Sequence, residues 1–173
     1  MKKFVIVFIL ALMPSLFFAQ VSAFDKFEKN GVTAVIVNKK MFELMGNVKT
    51  PKDKETQQYL NLIRKLDYLK VFTTTNSKIA SEMKGTVEGY LKKNPLEELM
   101  RISESGRNIK IYVKSGSTSS QVKELLMFME GSGKNDTVLM TLTGSFDLSE
   151  ISLLTDKMNL PGGSALNKAA KKA

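Results

Sequence analysis

The stretch LEELMRISESGRNIKIYVKSGSTSSQVKELLMFMEGSGKNDTVLMTLT, residues 96–143, decides the fold. Within it, RNIKIYVKS (107–115) alternates Ile109, Ile111 and Val113 with Lys110, Tyr112 and Lys114. A period of two marks a strand with one buried and one wetted face. LEELMRISES (96–105) reads as the strand before it, and Ser105-Gly106 is a tight-turn signal. GSTSS is a loop. QVKELLMFMEG (121–131) is apolar at consecutive positions, as in a strand covered on both faces. GSGKND (131–136) is turn-rich, and TVLMTLT (137–143) alternates again. Four successive strands with short connections predict an antiparallel β-meander.

The residues before the meander mix helices and strands. FDKFEKNG (24–31) reads as a short helix stopped by Gly31. VTAVIVN (32–38) is β-branched and almost wholly apolar, which predicts a strand buried on both faces. KKMFELMGN places Met41, Phe42 and Met45 on one helical side. ETQQYLNLIRKL (55–66) is amphipathic through Tyr59, Leu62, Ile63 and Leu66, and YLKVFTTT (68–75) is a second strand. Asn76 is positioned to cap a helix whose stripe runs Ile79, Met83, Val87, Tyr90 and Leu91 and which Asn94-Pro95 ends. Gly85 and Gly89 lie on one side of it, and close packing on the sheet would explain them. LSEISLLTDKM is a final helix. The sum is one α+β domain over residues 24–160, an antiparallel or mixed sheet with its C-terminal meander and helices packed on it. Pro161-Gly162-Gly163 breaks the chain, and ALNKAAKKA (165–173) has three lysines and no acid, so residues 161–173 read as a disordered basic tail.

Composition excludes much chemistry. The chain of 173 residues has no Cys and no His. Disulfides, thiolate nucleophiles and Ser-His-Asp or Cys-His arrangements are therefore absent, and zinc loses its two commonest ligand types. The N-terminus MKKFVIVFILALMPSLFFAQVSA has two lysines, an apolar run from Phe4 to Leu12, Pro14, and small residues at its end. That is the plan of a secretory signal peptide over residues 1–23, cleaved after Ala23, with Ala19 as second choice. The apolar run is too short to span a bilayer, and without Cys no lipid can be attached at an N-terminal Cys. The expected location is periplasmic or secreted, with no membrane span once the signal is gone. Losing Lys2 and Lys3 lowers the formal charge from +9 to +7. For an exported protein that suggests an anionic surface rather than nucleic acid.

Several constellations invite a catalytic reading and fail it. GSGKND lacks the earlier Gly of a Walker loop, where Phe128 stands, and the Ser or Thr after Lys134, where Asn135 stands. Ser81-x-x-Lys84 and Ser120-x-x-Lys123 have the penicillin-binding spacing without its companion motifs. Met127, Met129 and Met140 could present thioethers to copper(I), but the surrounding Leu125, Leu126 and Phe128 favour core packing. Asn135-Asp136-Thr137 fits a glycan acceptor pattern, and a polar hairpin turn explains it better. Asp147, Ser149 and Glu150 resemble a reacting trio. Asp147 also stands at a helix N-cap position, with Glu150 three residues on, where a capping box needs it. Arg101, Lys110, Tyr112 and Lys114 would share the polar face of the meander and form a candidate partner surface.

The segments VTAVIVNKKMFELMG, LDYLKVFTTTNSKIASEM, EELMRISESGRNIKIYVK, KELLMFMEG and LTGSFDLSEISLL, in that order, resemble the domain of unknown function 4252 family. The resemblance implies a small exported protein of Gram-negative bacteria. Many relatives are lipoproteins, and some are encoded near extracytoplasmic sigma-factor systems. It carries no established activity and no catalytic residue onto this chain. The expected function is that of a non-catalytic envelope protein that binds an envelope partner, in stress sensing or a related role, with no cofactor. A small-molecule or lipid carrier and a carboxylate-based hydrolase are the alternatives.

Overall fold

A computed structural model describes residues 23–48, 53–104, 106–118, 120–131 and 136–171. Among the described residues six strands form one antiparallel sheet: β1 (Thr33–Asn38), β2 (Leu66–Thr74), β3 (Glu97–Glu104), β4 (Arg107–Ser115), β5 (Gln121–Gly131) and β6 (Thr137–Asp147). Their order is β1-β2-β6-β5-β4-β3, so the expected meander occupies one side of the sheet and β1-β2 the other. The described helices are α1 (Lys39–Gly46), α2 (Lys54–Ile63), α3 (Ser77–Lys93), α4 (Ile151–Met158) and α5 (Gly163–Ala170), with 3-10 turns at 25–27 and 148–150.

Alternation along the central strands builds two cores. Leu125, Met127 and Met129 of β5, Val138, Met140 and Leu142 of β6, and Leu69 and Val71 of β2 point to one face, under Phe42 of α1, Leu60 and Ile63 of α2, Ile151 and Leu154 of α4, and Leu166 of α5. Leu126, Phe128, Leu139 and Phe72 point to the other, under Met83, Val87 and Tyr90 of α3 and under Phe24 and Phe27. The apolar doublets of β5 thus have helices on both sides, as their sequence requires.

Local chemistry places the helices. The Asn38, Asp53 and Asn76 side chains accept from backbone N–H groups of α1, α2 and α3 in turn, satisfying donors that a helix start leaves unpaired. The first turn is tied to the sheet by Phe27 edge-on to Phe72, 6.0 Å between centroids, and by an ion pair from buried Lys70 to Asp25. Val32–Asn38 departs from expectation. β1 lies at the edge of the sheet and is mostly exposed, because a run of β-branched residues is buried on both faces only where another strand and both helical layers enclose it.

The C-terminal segment corrects a second expectation. Residues 163–170 are helix α5, and Ala165, Leu166 and Ala169 are buried in the first core, so this segment is packed structure rather than a disordered basic tail. Its apolar positions, spaced as i, i+1 and i+4, form an inward stripe that three flanking lysines obscure. Gly162, at φ +79°, opens the helix directly over Met127, where a β-carbon would overlap the thioether. A third correction concerns Gly85 and Gly89. Both face an open groove on the outside of α3, and no heavy atom lies within 4 Å of where a β-carbon would stand. Gly144 differs, since a β-carbon there would overlap the Lys65 carbonyl oxygen beside the irregularity that joins Leu66 to Gly144.

These contrasts give paired outcomes. Gly85→Ala and Gly89→Ala should each raise stability by about 1 kcal/mol. Gly144→Ala should lower it by about 2 kcal/mol or more, because backbone must move. Urea unfolding of the three variants checks both signs.

Candidate functional site

The two edges of the sheet are built differently. β3 carries Glu97, Glu98, Arg101 and Glu104 within eight residues and a register irregularity between Glu98 and Met100. Charges and bulges are the usual means of keeping an edge from pairing. β1 has neither: Thr-Ala-Val-Ile-Val-Asn holds no charge, and its register against β2 runs unbroken from Thr33 to Asn38. Val35, opposite Val71, lies on the first-core face, and Ile36, opposite Lys70, lies on the second. They are 46% and 39% exposed. Helix α1 follows at once and packs Phe42 inward, while Met41 and Leu44, one turn apart, are 51% and 57% exposed, with exposed Val48 just beyond. The helix that was to keep Met41 and Phe42 on one side separates them. β1 thus leaves an open row of backbone donors and acceptors at the sheet edge, with Val35 and Ile36 exposed on its two faces. Its flanking lysines are already matched, Lys39 to Asp67 at 3.0 Å and Lys40 to Glu43 at 3.6 Å.

Arg101, Lys110, Tyr112 and Lys114 do share one face of β3 and β4. That face also carries carboxylates. Glu98 takes both guanidinium hydrogen bonds of Arg101, at 3.0 and 2.8 Å, and the guanidinium holds the Glu98 carboxyl below its usual range. Lys110 and Tyr112 line a small cleft of about 30 Å³ with Lys84, Glu88 and Glu130. Burial, and then the Glu98 charge, raise the Tyr112 phenol. The surface is therefore mixed in sign.

Lys114 faces a buried group that the residue pattern did not single out. Glu124 is 4% exposed and sits between Lys114 on β4 and Thr143 on β6. Its Oε1 accepts from the Tyr90 hydroxyl of α3 at 2.6 Å, and its Oε2 has no hydrogen-bond partner among the described residues. Burial raises the Glu124 carboxyl, offset by the Tyr90 hydrogen bond and the Lys114 charge. Burial likewise pushes the Tyr90 phenol well up, and the hydrogen bond to Glu124 adds to it. The sequence of β5 hid this site, because Glu124, beside Lys123 at the head of the apolar run, carries no local mark of burial.

The trio at 147–150 is a cap. The Asp147 carboxylate accepts from the Ser149 N–H at 2.9 Å and its hydroxyl at 2.6 Å, while Glu150 accepts from the Asp147 N–H at 3.2 Å. These bonds to Ser149 hold the Asp147 carboxyl low. Glu150 also takes Lys65 Nζ at 2.9 Å on both oxygens, joining the start of β2 to the last turn of the sheet. Met127 and Met140 are cross-strand partners, and with Met129 they lie in the first core. Ser81 and Lys84 are exposed on α3, where Lys84 pairs with Glu130 at 2.9 Å. Residues 132–135, most of the turn-rich connection, lie outside the described residues, as does the glycan acceptor Asn135. Among the described residues no three acids converge to hold a metal ion, and no helix is long and apolar enough to cross a membrane.

This architecture defines an α+β domain with one antiparallel sheet clad by helices on both faces and left open along β1. A family profile described as Domain of unknown function (DUF4252) matches residues 24–154, and the chain belongs to that family. The match begins at buried Phe24 and stops within α4, leaving α5 outside it. No curated protein and no solved structure matches the chain.

Two outcomes follow from the buried polar groups. A carboxyl whose folded pKa is raised costs stability as pH rises above the unfolded carboxyl range of about 4.3. Glu124→Gln should therefore match wild type in acid and gain on it in thermal melts as pH rises above that range, levelling off once the folded carboxyl has ionised, whereas a constant difference would contradict the buried charge. Asp147→Ala should lose about 1 kcal/mol, with the loss shrinking below the ordinary carboxylate range, because a depressed pKa stabilises only the ionised form.

Proposed function

We propose that the protein is an exported, non-catalytic module of the cell envelope that binds a protein partner, and that it binds through β1 and α1. The observation that carries this reading is the unguarded edge, uncharged over 33–38 and flanked by exposed Met41 and Leu44, against the charged and irregular β3. An extended segment of a partner would complete the hydrogen bonds that β1 leaves open and cover Val35 on one face and Ile36 on the other. Such recognition reads backbone first and side chains second, which suits a sensing role. It needs none of the nucleophiles or ligands that the composition withholds.

Export is supported at the other end of the domain. Phe24 is 2% exposed and packs on Tyr90 with 5.0 Å between ring centroids. The family match likewise starts at Phe24, directly after Ala23, the expected cleavage point. N-terminal sequencing of exported protein should begin at Phe24; an intact Met1 would overturn the assignment.

The binding surface is tested by a photo-crosslinking residue placed at Ile36 in living cells. One identified envelope protein should be captured from position 36, not from Lys110, and should be lost when Val35→Lys is added. Capture unaffected by Val35→Lys would remove β1 from the reading.

A further inference from the structure

We propose that Met41 is a site of reversible oxidation. A hydroperoxide converts its thioether to the sulfoxide ahead of every other methionine after Ala23, and the change weakens partner binding at β1 and α1. The second half of this statement rests on the reading of β1 and α1 as the binding surface; the first half does not.

Composition directs the chemistry. The chain has no Cys and no Trp, so no thiol takes up the oxidant first. It has ten methionines; Met1 and Met13 precede Ala23, and all the others are among the described residues. In the reaction the thioether sulfur attacks the terminal peroxide oxygen. The O–O bond breaks as the S–O bond forms, and sulfur gives up the two electrons that the peroxide gains. The proton of the transferred oxygen passes to the leaving oxygen, which departs as water or an alcohol.

The fold then ranks the sulfurs. Met83, Met127 and Met140 have no exposed surface, and Met129 has little. Met45, Met100 and Met158 are half-buried and packed against the first core. Met41 alone is exposed, at 51%. An oxidant must reach the sulfur, and the new S=O dipole must then find water or a donor. At a packed methionine the second requirement costs free energy that Met41 never meets.

The same geometry separates oxidation from unfolding. Met41 lies in the first turn of α1, where its N–H donates to Asn38 Oδ1 at 3.0 Å. Phe42, fully buried, holds the helix to the core. Neither anchor involves the thioether. On the outward side Met41 stands with Leu44, one turn on, and both are exposed. Oxidation there turns a flexible apolar side chain into a polar one. A partner that covers α1 must then strip water from the sulfoxide, and affinity falls. Methionine sulfoxide is returned to the thioether by dedicated reductases, so the change is reversible.

Peptide mass spectrometry of purified protein titrated with hydrogen peroxide tests the site. Sulfoxide should accumulate at Met41 several-fold faster than at Met45, Met100 or Met158, with none at Met83, Met127 or Met140 until the fold is lost. In urea these methionines should all oxidise at comparable rates, and singly oxidised protein should melt as untreated protein does. A methionine sulfoxide reductase should return Met41 to the thioether in the folded chain. Equal native rates at Met41 and any half-buried methionine, or an order that persists in urea, would overturn the site. In cells, a peroxide pulse should lower capture of the envelope partner from position 36, and capture by a Met41→Leu variant should not fall further under the pulse. An equal loss in wild type and Met41→Leu would overturn the switch. If Met41 oxidises first and capture is unchanged while Val35→Lys still abolishes it, the switch falls and the reading of β1 stands. If position 36 captures nothing before oxidation, the surface and the switch both fall, and the mass spectra still decide the site.

Discussion

The pairing of β5 with β6 places Leu125, Met127 and Met129 in register with Leu142, Met140 and Val138, and Phe128 in register with Leu139 on the opposite face. Two central strands that are apolar on both faces need a helical layer above and another below. One layer is gathered from both ends of the chain, α1 and α2 before the meander and α4 and α5 after it. The other is a single long helix, α3, completed by Phe24 and Phe27. Burying each large side chain contributes about 1.5–3 kcal/mol, so neither layer can be shed without exposing half the core. That demand explains why α5, short and rich in lysine, is folded down rather than frayed.

The thinner layer is also the more polar one. Lys70 and Glu124 both lie on the α3 side of the sheet and are nearly inaccessible. Lys70 is matched by Asp25, whose segment it ties down. Among the described residues Glu124 is matched on one oxygen alone, by Tyr90. A carboxylate with an orphan oxygen under a helix is a local weak point, and it opposes the hydrophobic closure of that helix as it ionises. Tyr90 meets Phe24 as well as Glu124, so the first folded residues and this buried acid bear on the same ring.

Much of this was legible in the chain, and the reasons are specific. The meander was visible because Lys110, Tyr112 and Lys114 keep period two against Ile109, Ile111 and Val113. The cap at Asp147 was visible because a capping box is local, spanning four residues. The position of β1 was not visible. Its apolar run looks the same whether helices enclose it or solvent does, and only the strand order separates the cases. Glu124 was hidden for a related reason, since its environment comes from α3, β4 and β6, far apart in sequence. Gly85 and Gly89 show the limit of spacing alone: it placed both on one side of α3 and could not say that this side faces outward.

By itself, then, the sequence determined the six strands, the helices that precede residue 161, the caps at Asn76 and Asp147, the class of fold and the chemistry that the chain lacks, because periodicity, capping and composition are properties of neighbours along the chain. Tertiary structure alone decided which strand became the open edge, which lysines found carboxylates and which acid was buried. Those outcomes depend on strand order and on the meeting of distant segments, and no local pattern encodes them.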